Sequence, residues 1–243
     1  MSRREDALMS AQQKRERLYM PSEAPGLEEF ISKTSYLGMD DDIIGLYRST
    51  HALLNDTQHK VIQFIGSREG EGTSTIVREF AMVAVAKFNK SVLLLDADIQ
   101  KPSHHNFFRT SPVYSCEDRM RDGKPLENAF FKVGNSSLSI SIISRHSASS
   151  LQVFDFLSNG NFREKLDQFD LILIDSPPAT TSSDGLAISR LADGVVLVLE
   201  AEKTRWPIAE SIKDKIIQNG GKILGIAFNK HRHHIPGAVY RRL

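Results

Sequence analysis

The chain has 243 residues, 31 basic and 30 acidic side chains, and a single cysteine, Cys116. That length suits one α/β domain with an extension, and the balanced charge gives no global field for nucleic acid or for more than peripheral contact with a membrane. A lone cysteine excludes an internal disulfide and fits a reducing compartment. No run approaches the roughly 18–20 apolar residues of a membrane span, and Met1-Ser-Arg-Arg-Glu-Asp lacks the apolar core of a secretory signal. A cytoplasmic location is expected.

Residues 1–40 mix charge with Pro21, Pro25, Gly26 and Gly38 and read as a flexible or docked arm, with Ala11–Leu18 available as a charged helix. Asp40-Asp41-Asp42 ahead of Ile43, Ile44, Leu46, Tyr47, Leu53 and Leu54 predicts a helix with acids at its positive end. Short apolar runs then recur at Val61–Ile65, Val92–Leu95, Leu138–Ile143, Leu171–Ile174, Val195–Leu199 and Ile223–Phe228. Helical patterns lie between several of them, at Ile76–Phe88, Leu151–Leu157, Gly185–Leu191 and Ile208–Gln218. Unbroken apolar strands alternating with helices predict a parallel sheet covered on both faces. Residues 102–135 are richer in polar and turn residues and read as a loop or small helical excursion.

The first apolar run is followed by Ser67-Arg68-Glu69-Gly70-Glu71-Gly72-Thr73-Ser74-Thr75 and then by the helical pattern. Strand, glycine-rich turn and helix N-terminus are the architecture that holds phosphates on backbone N–H groups. In the pattern GxxxxGK[ST], the lysine reaches the β- and γ-phosphates and the next hydroxyl holds Mg²⁺. Here Thr73 takes the lysine's place, while Ser74 and Thr75 keep the hydroxyls. Asp96 and Asp98 follow the second apolar run and Asp175 ends the fourth. Open parallel sheets bind ligands beyond the carboxyl ends of their strands, so these acids are expected to converge on the loop.

Val92-Leu-Leu-Leu-Asp96-Ala-Asp98-Ile-Gln-Lys-Pro102 resembles the second Walker-type motif of bacterial tyrosine kinases. These are members of the MinD/ParA-like branch of P-loop proteins and serve capsule and exopolysaccharide production. Phe169-Asp-Leu-Ile-Leu-Ile-Asp175-Ser-Pro-Pro178 and the following Ser183-Asp184-Gly resemble their Walker B region. Gly70-Glu71-Gly72 with Ser74-Thr75 resembles their loop, and Gly225-Ile-Ala-Phe-Asn229-Lys their last core strand. The resemblance runs from about residue 43 to the C-terminus. It implies a three-layer α/β P-loop NTPase fold with a mainly parallel central sheet, spanning residues 41–229 and followed by a basic tail, 230–243.

The same resemblance implies roles. Ser67, Gly70, Glu71, Gly72, Thr73, Ser74 and Thr75 would cradle ATP or ADP, with Thr75 at the α-phosphate. Ser74, Asp98 and Asp175 would hold Mg²⁺, a cation that prefers oxygen ligands. Asp96 would accept the proton of an attacking tyrosine hydroxyl. Asn229 would face the nucleotide base or serve as a strand-end turn residue. Ser183-Asp184 is a switch-like segment in the family, and His104-His105 matches a stretch read as packing or capping. Trp206 and Phe107-Phe108 read as core or interface residues.

Departures from the family pattern set the functional expectation. Losing one preorganised donor costs about 10²–10³-fold in rate, or about 3–4 kcal/mol, and phosphoryl transfer relies on such electrostatics. Arg68 aligns with the signature lysine of the loop KGGxGK[ST]; it is a candidate substitute cation or else a partner of Glu69 or Glu71. The assembly motif Glu-x-x-Arg-x-x-Arg reads Gly45-Leu-Tyr-Arg48-Ser-Thr-His51 here, so a homo-oligomeric ring loses two of its three determinants. The tail from Lys230 carries only Tyr240 as a phosphate acceptor, and His231, His233 and His234 read as a solvated basic run rather than a metal site. The expectation is a pseudokinase-like partner of a membrane polysaccharide chain-length or export protein, recruited to the inner face of the membrane. An active kinase rescued by Arg68, and a MinD/ParA-like positioning ATPase, are the alternatives.

Overall fold

The computed structural model describes residues 26–34, 40–54, 60–110, 114–143 and 166–231. The expected helices at Ala11–Leu18 and Leu151–Leu157, and the tail beyond His231, lie outside the described residues. Two helices precede the sheet, α1 (Leu27–Thr34) and α2 (Asp40–Leu53). Then come β1 (Lys60–Gly66), α3 (Thr73–Phe88), β2 (Val92–Asp96), α4 (His104–Phe107), α5 (Cys116–Arg121), a 3₁₀ turn at Leu126–Ala129, and β3 (Phe131–Lys132). The chain continues through β4 (Leu138–Ile142), β5 (Leu171–Asp175), α6 (Ser183–Ile188), β6 (Gly194–Glu200), α7 (Trp206–Gln218) and β7 (Ile223–Asn229).

These strands form one seven-stranded sheet in the order β3-β4-β2-β5-β1-β6-β7. Its pairings are parallel except β3 against β4. The six apolar runs of the sequence all become strands. The antiparallel edge, Phe131–Lys132, has too little sequence to show a period. The 102–135 stretch is the helical excursion expected, plus that edge strand.

Strand alternation divides the core between the two faces of the sheet. Ile62, Phe64, Leu94, Leu173 and Val196 pack with Phe80, Val77 and Ala84 of α3, and with Ile43 and Tyr47 of α2. Leu93, Leu95, Ile172 and Ile174 face the other way, as do Val195, Leu197 and Leu199 under Ala209, Ile212 and Ile216 of α7. Helix, sheet and helix are the three layers. From the arm region, α1 buries Leu27 and Phe30, whose ring meets Phe107 and Phe108 at 5.6 and 5.2 Å. Trp206 is not core: it stands 64% exposed at the start of α7. No helix among the described residues is long and apolar enough to cross a membrane.

Strand order brings the site together. β1 lies between β5 and β6, and β2 sits beside β5 in a register that pairs Asp96 with Asp175. The carboxyl ends of β1, β2 and β5 therefore open at one edge.

Candidate phosphate-binding site

The loop after β1 turns through two left-handed glycines, Gly70 at φ 85° and Gly72 at φ 89°. A side chain at either position would strain the backbone. Gly72 is the N-cap of α3, and no side chain caps that helix. Helix α3 begins at Thr73, earlier than the apolar period at Ile76 suggests, because the period marks where burial starts rather than where helical backbone does. An uncapped N-terminus after such a turn leaves N–H donors and the positive end of the helix dipole open to an anion. Backbone geometry thus fits phosphate.

Glu71 is the loop's internal brace. Its carboxylate, buried to 1% exposure, accepts from Ser67 N at 2.5 Å, Ser67 Oγ at 2.7 Å and Arg68 N at 3.1 Å. Thr204 Oγ1, beyond β6, donates to it as well. Asn229 Nδ2 donates to the Glu71 carbonyl at 2.9 Å, and Asn229 Oδ1 accepts from Lys230 N at 2.8 Å. The Asn229 amide thus contacts backbone through both its nitrogen and its oxygen. Lys230 Nζ in turn donates to the Gly70 carbonyl.

The cations around the loop are similarly engaged. Arg68 turns its Nε toward Glu71 Oε1 at 3.8 Å, the pairing weighed against a phosphate contact, while its Nη2 is buried without a hydrogen-bond partner. Lys101 pairs with Glu69 across the mouth of the site. Thr73 carries only a hydroxyl, and a Cβ built on Gly66 would come within 2.6 Å of it. Its Oγ1 is folded back over the start of the loop.

Ser74 and Thr75 lie in the first turn of α3, where Thr75 Oγ1 accepts from Arg78 Nη2 at 3.2 Å. Arg78 also donates to Ser103 Oγ at 3.3 Å and lies over the Phe107 ring at 4.5 Å. Burial lowers the pKa of its guanidinium, while Asp175, Glu79 and Asp96 hold it up.

Asp96 and Asp175 are both buried and close together, as expected of strand-end acids on neighbouring strands. Asp96 Oδ2 accepts from Ser103 N at 2.8 Å and His104 N at 3.3 Å, and Oδ1 from Asp98 N at 3.3 Å. Burial pushes the Asp96 carboxyl up to about 6, and the Asp175 charge adds to the rise; His104 and the two N–H groups on Oδ2 oppose it. His104 is more than packing or capping: its Nε2 lies 2.8 Å from Asp175 Oδ2, inside the site. Asp98 instead turns Oδ1 onto the N–H groups of Gln100 and Lys101, both at 3.1 Å. Asp98 lines a shallow open cleft with Glu69, Lys101, Pro177, Ser182 and Asp184.

Lys230, Arg78 and His104 were not legible as site residues. Each is remote from the glycine loop in sequence or one helical turn beyond it. The signals for Lys230 are its place in the motif that ends Asn229-Lys and at the carboxyl end of a parallel strand, and for Arg78 its i+3 offset from Thr75.

A mainly parallel α/β sheet with a glycine loop feeding a helix, and acids ending the neighbouring strands, defines a P-loop NTPase fold. No protein-family model matches the chain. It is 28% identical over 195 residues to the tyrosine-protein kinase CpsD of Streptococcus agalactiae, covering 74% of this chain and 80% of that protein. It is 26% identical over 178 residues to the tyrosine-protein kinase YwqD of Bacillus subtilis, covering 72% and 73%. Against the tyrosine-protein kinase ptk of Acinetobacter johnsonii, 26% identity over 74% of this chain covers only 24% of the longer protein. The VpsO kinase domain superposes with a TM-score of 0.69 at 25% identity, over 84% of this chain and 99% of that one. MinD of Pyrococcus horikoshii, solved with Mg-ADP, shares the fold with a TM-score of 0.56 at 17% identity, over 76% of each chain. The chain's sequence relatives are bacterial tyrosine-protein kinases, and its structural neighbours are their kinase domains and MinD-like P-loop ATPases.

Proposed function

We propose that this chain is a nucleotide-binding, pseudokinase-like subunit of bacterial capsule or exopolysaccharide synthesis. The supporting observation is a loop braced in a phosphate-ready form whose lysine position holds only the folded-back hydroxyl of Thr73. Two of the surrounding cations, Lys101 and Lys230, are engaged by Glu69 and the Gly70 carbonyl, and Arg68 turns its Nε toward Glu71.

In this reading the backbone N–H groups from Gly70 to Ser74 bind the α- and β-phosphates of ATP or ADP, the Thr75 N–H being held by the Gly72 carbonyl. Ser74, Asp98 and Asp175 are the oxygen donors available to Mg²⁺, which when bound neutralises charge between the phosphates. Asp96 would accept a hydroxyl proton. Binding survives on backbone donors, whereas transfer loses the cation at the terminal phosphates. Regulation of a membrane chain-length or export protein from the cytoplasmic face follows from the family pattern of the motifs, and from a relative in which a matching region is about a quarter of a longer chain.

The unpartnered Nη2 of Arg68 favours one competing reading, an active kinase in which Arg68 swings from Glu71 to phosphate. Titration with Mg²⁺-ATP together with radiolabel transfer separates the two. The native chain is expected to bind nucleotide without transferring label, and Thr73→Lys to gain about 10²–10³-fold in transfer. Strong transfer by the native chain, abolished in Arg68→Ala, would establish the active kinase instead.

A further inference from the structure

The amino ends of the parallel strands form the edge opposite the glycine loop, and cations recur along it. Lys90 lies just ahead of β2, Lys60 begins β1 and Lys222 immediately precedes β7. In the sheet order β2-β5-β1-β6-β7 these are alternate strands, so neighbouring lysines are rooted two strand spacings apart, about 10 Å. Lys87, exposed in the last turn of α3, adds a fourth charge beside Lys90. The lysine ion pairs among the described residues belong to Lys101, Lys203, Lys213 and Lys230. Lys60, Lys87, Lys90 and Lys222 have none.

Acids stand at the strands between, Asp170 ahead of β5 and Asp193 ahead of β6, with their carboxylates turned onto the next strand. Asp170 Oδ2 accepts from Ser91 N at 2.8 Å and Ser91 Oγ at 2.7 Å, and Asp193 Oδ2 from Val61 N at 2.8 Å. The lysines act on one another instead. Burial and then the Lys90 charge lower the pKa of Lys60, and burial followed by both lysines lowers that of His51 in the last turn of α2. Exposed aliphatic side chains flank the same edge. Lys222 Nζ donates to the Leu53 carbonyl at 3.3 Å, and the Leu53 side chain is 51% exposed at the end of α2. On the other face of the sheet, Ile217 in the last turn of α7 is 54% exposed.

We propose that this edge docks on an anionic lipid surface, with Lys60, Lys90 and Lys222 at the headgroups and Leu53 and Ile217 entering the boundary beneath them. Unpaired cations call for a polyanion, and the aliphatic side chains decide which. Nucleic acid would satisfy the lysines but offers nothing to Leu53 and Ile217, whereas a bilayer offers anionic headgroups over an apolar layer. The inference rests on the membrane-side placement proposed above and adds an orientation to it. The glycine loop, at the opposite edge of the sheet, faces away from the bilayer.

The test is sedimentation of the nucleotide-free, full-length chain with vesicles of equimolar phosphatidylglycerol and phosphatidylcholine, or of phosphatidylcholine alone. Binding is expected to the first and not the second, falling at least about 10-fold between about 0.05 and about 0.5 M salt. A lysine near an anionic surface raises partition about five-fold, so Lys60→Gln, Lys90→Gln and Lys222→Gln together should lower it about 100-fold. Arginine at the same three positions should keep it. Leu53→Ser should lose at least about five-fold. If the triple variant fails to fold, Lys87→Gln supplies a single-site loss of about five-fold. No binding to the anionic vesicles, undiminished binding by the folded triple glutamine variant, or loss only on Arg241→Gln with Arg242→Gln in the tail would overturn the face. Retention on duplex DNA without vesicle binding would overturn the lipid assignment. No partner protein enters the assay, so its failure leaves recruitment by a membrane protein standing, and titration with Mg²⁺-ATP reports separately on the nucleotide reading.

Discussion

Glu71 gives the most direct test of how the loop is held. Replacing it with alanine removes the acceptor of four donors and strands two of them, the backbone N–H groups of Ser67 and Arg68, beneath the loop. The hydroxyls of Ser67 and Thr204 can rotate to other acceptors, but the two N–H groups cannot. An unsatisfied buried donor costs about 1–3 kcal/mol, so the two together cost about 2–4 kcal/mol after partial hydration of the cavity. The Arg68 pairing adds little, since that side chain is 38% exposed and the contact is 3.8 Å. Glu71→Gln retains one carbonyl acceptor and should lose about half as much. Urea unfolding of native protein and both variants measures the loss, and amide exchange at Ser67 and Arg68 localises it. If Glu71→Ala unfolds within about 0.5 kcal/mol of native protein, or those amides keep their protection, Glu71 does not brace the loop.

Two other outcomes follow from buried ionisable groups. The folded chain raises the Asp96 carboxyl to about 6 from an ordinary 3.8, so folding favours its protonated form. Stability from this group is complete below the unfolded pKa and is lost as pH rises through the folded value, by at most about 3 kcal/mol. Relative to Asp96→Asn, native protein should therefore lose urea resistance between pH 4 and 7; parallel pH profiles for the two would refute it. Cys116 is fully buried, and burial pushes its thiol up to about 12. It should resist a thiol reagent at pH 8 in the folded chain and react with one equivalent in denaturant, since the thiolate is the nucleophile. Prompt labelling of the native protein would contradict its burial.

The helices beside the sheet were legible in proportion to their apolar period. Those at α2, α3 and α7 were placed to within three residues or fewer, because one face of each packs on the sheet. The edge strand Phe131–Lys132 was not, since only its pairing with β4 makes it a strand.

The amino-acid order alone determined the layered α/β architecture, the glycine turn and the absence of a lysine within it. Those properties are local: unbroken apolar runs, two left-handed glycines and one side chain's chemistry. Folding decided what surrounds that turn. Glu71, Asn229 and Lys230 meet on it across more than 150 residues, and His104 reaches Asp175 across 71, because parallel strands from distant segments end at one edge. Spacing along the chain carries no trace of such meetings; they exist only once β2, β5, β1, β6 and β7 lie side by side.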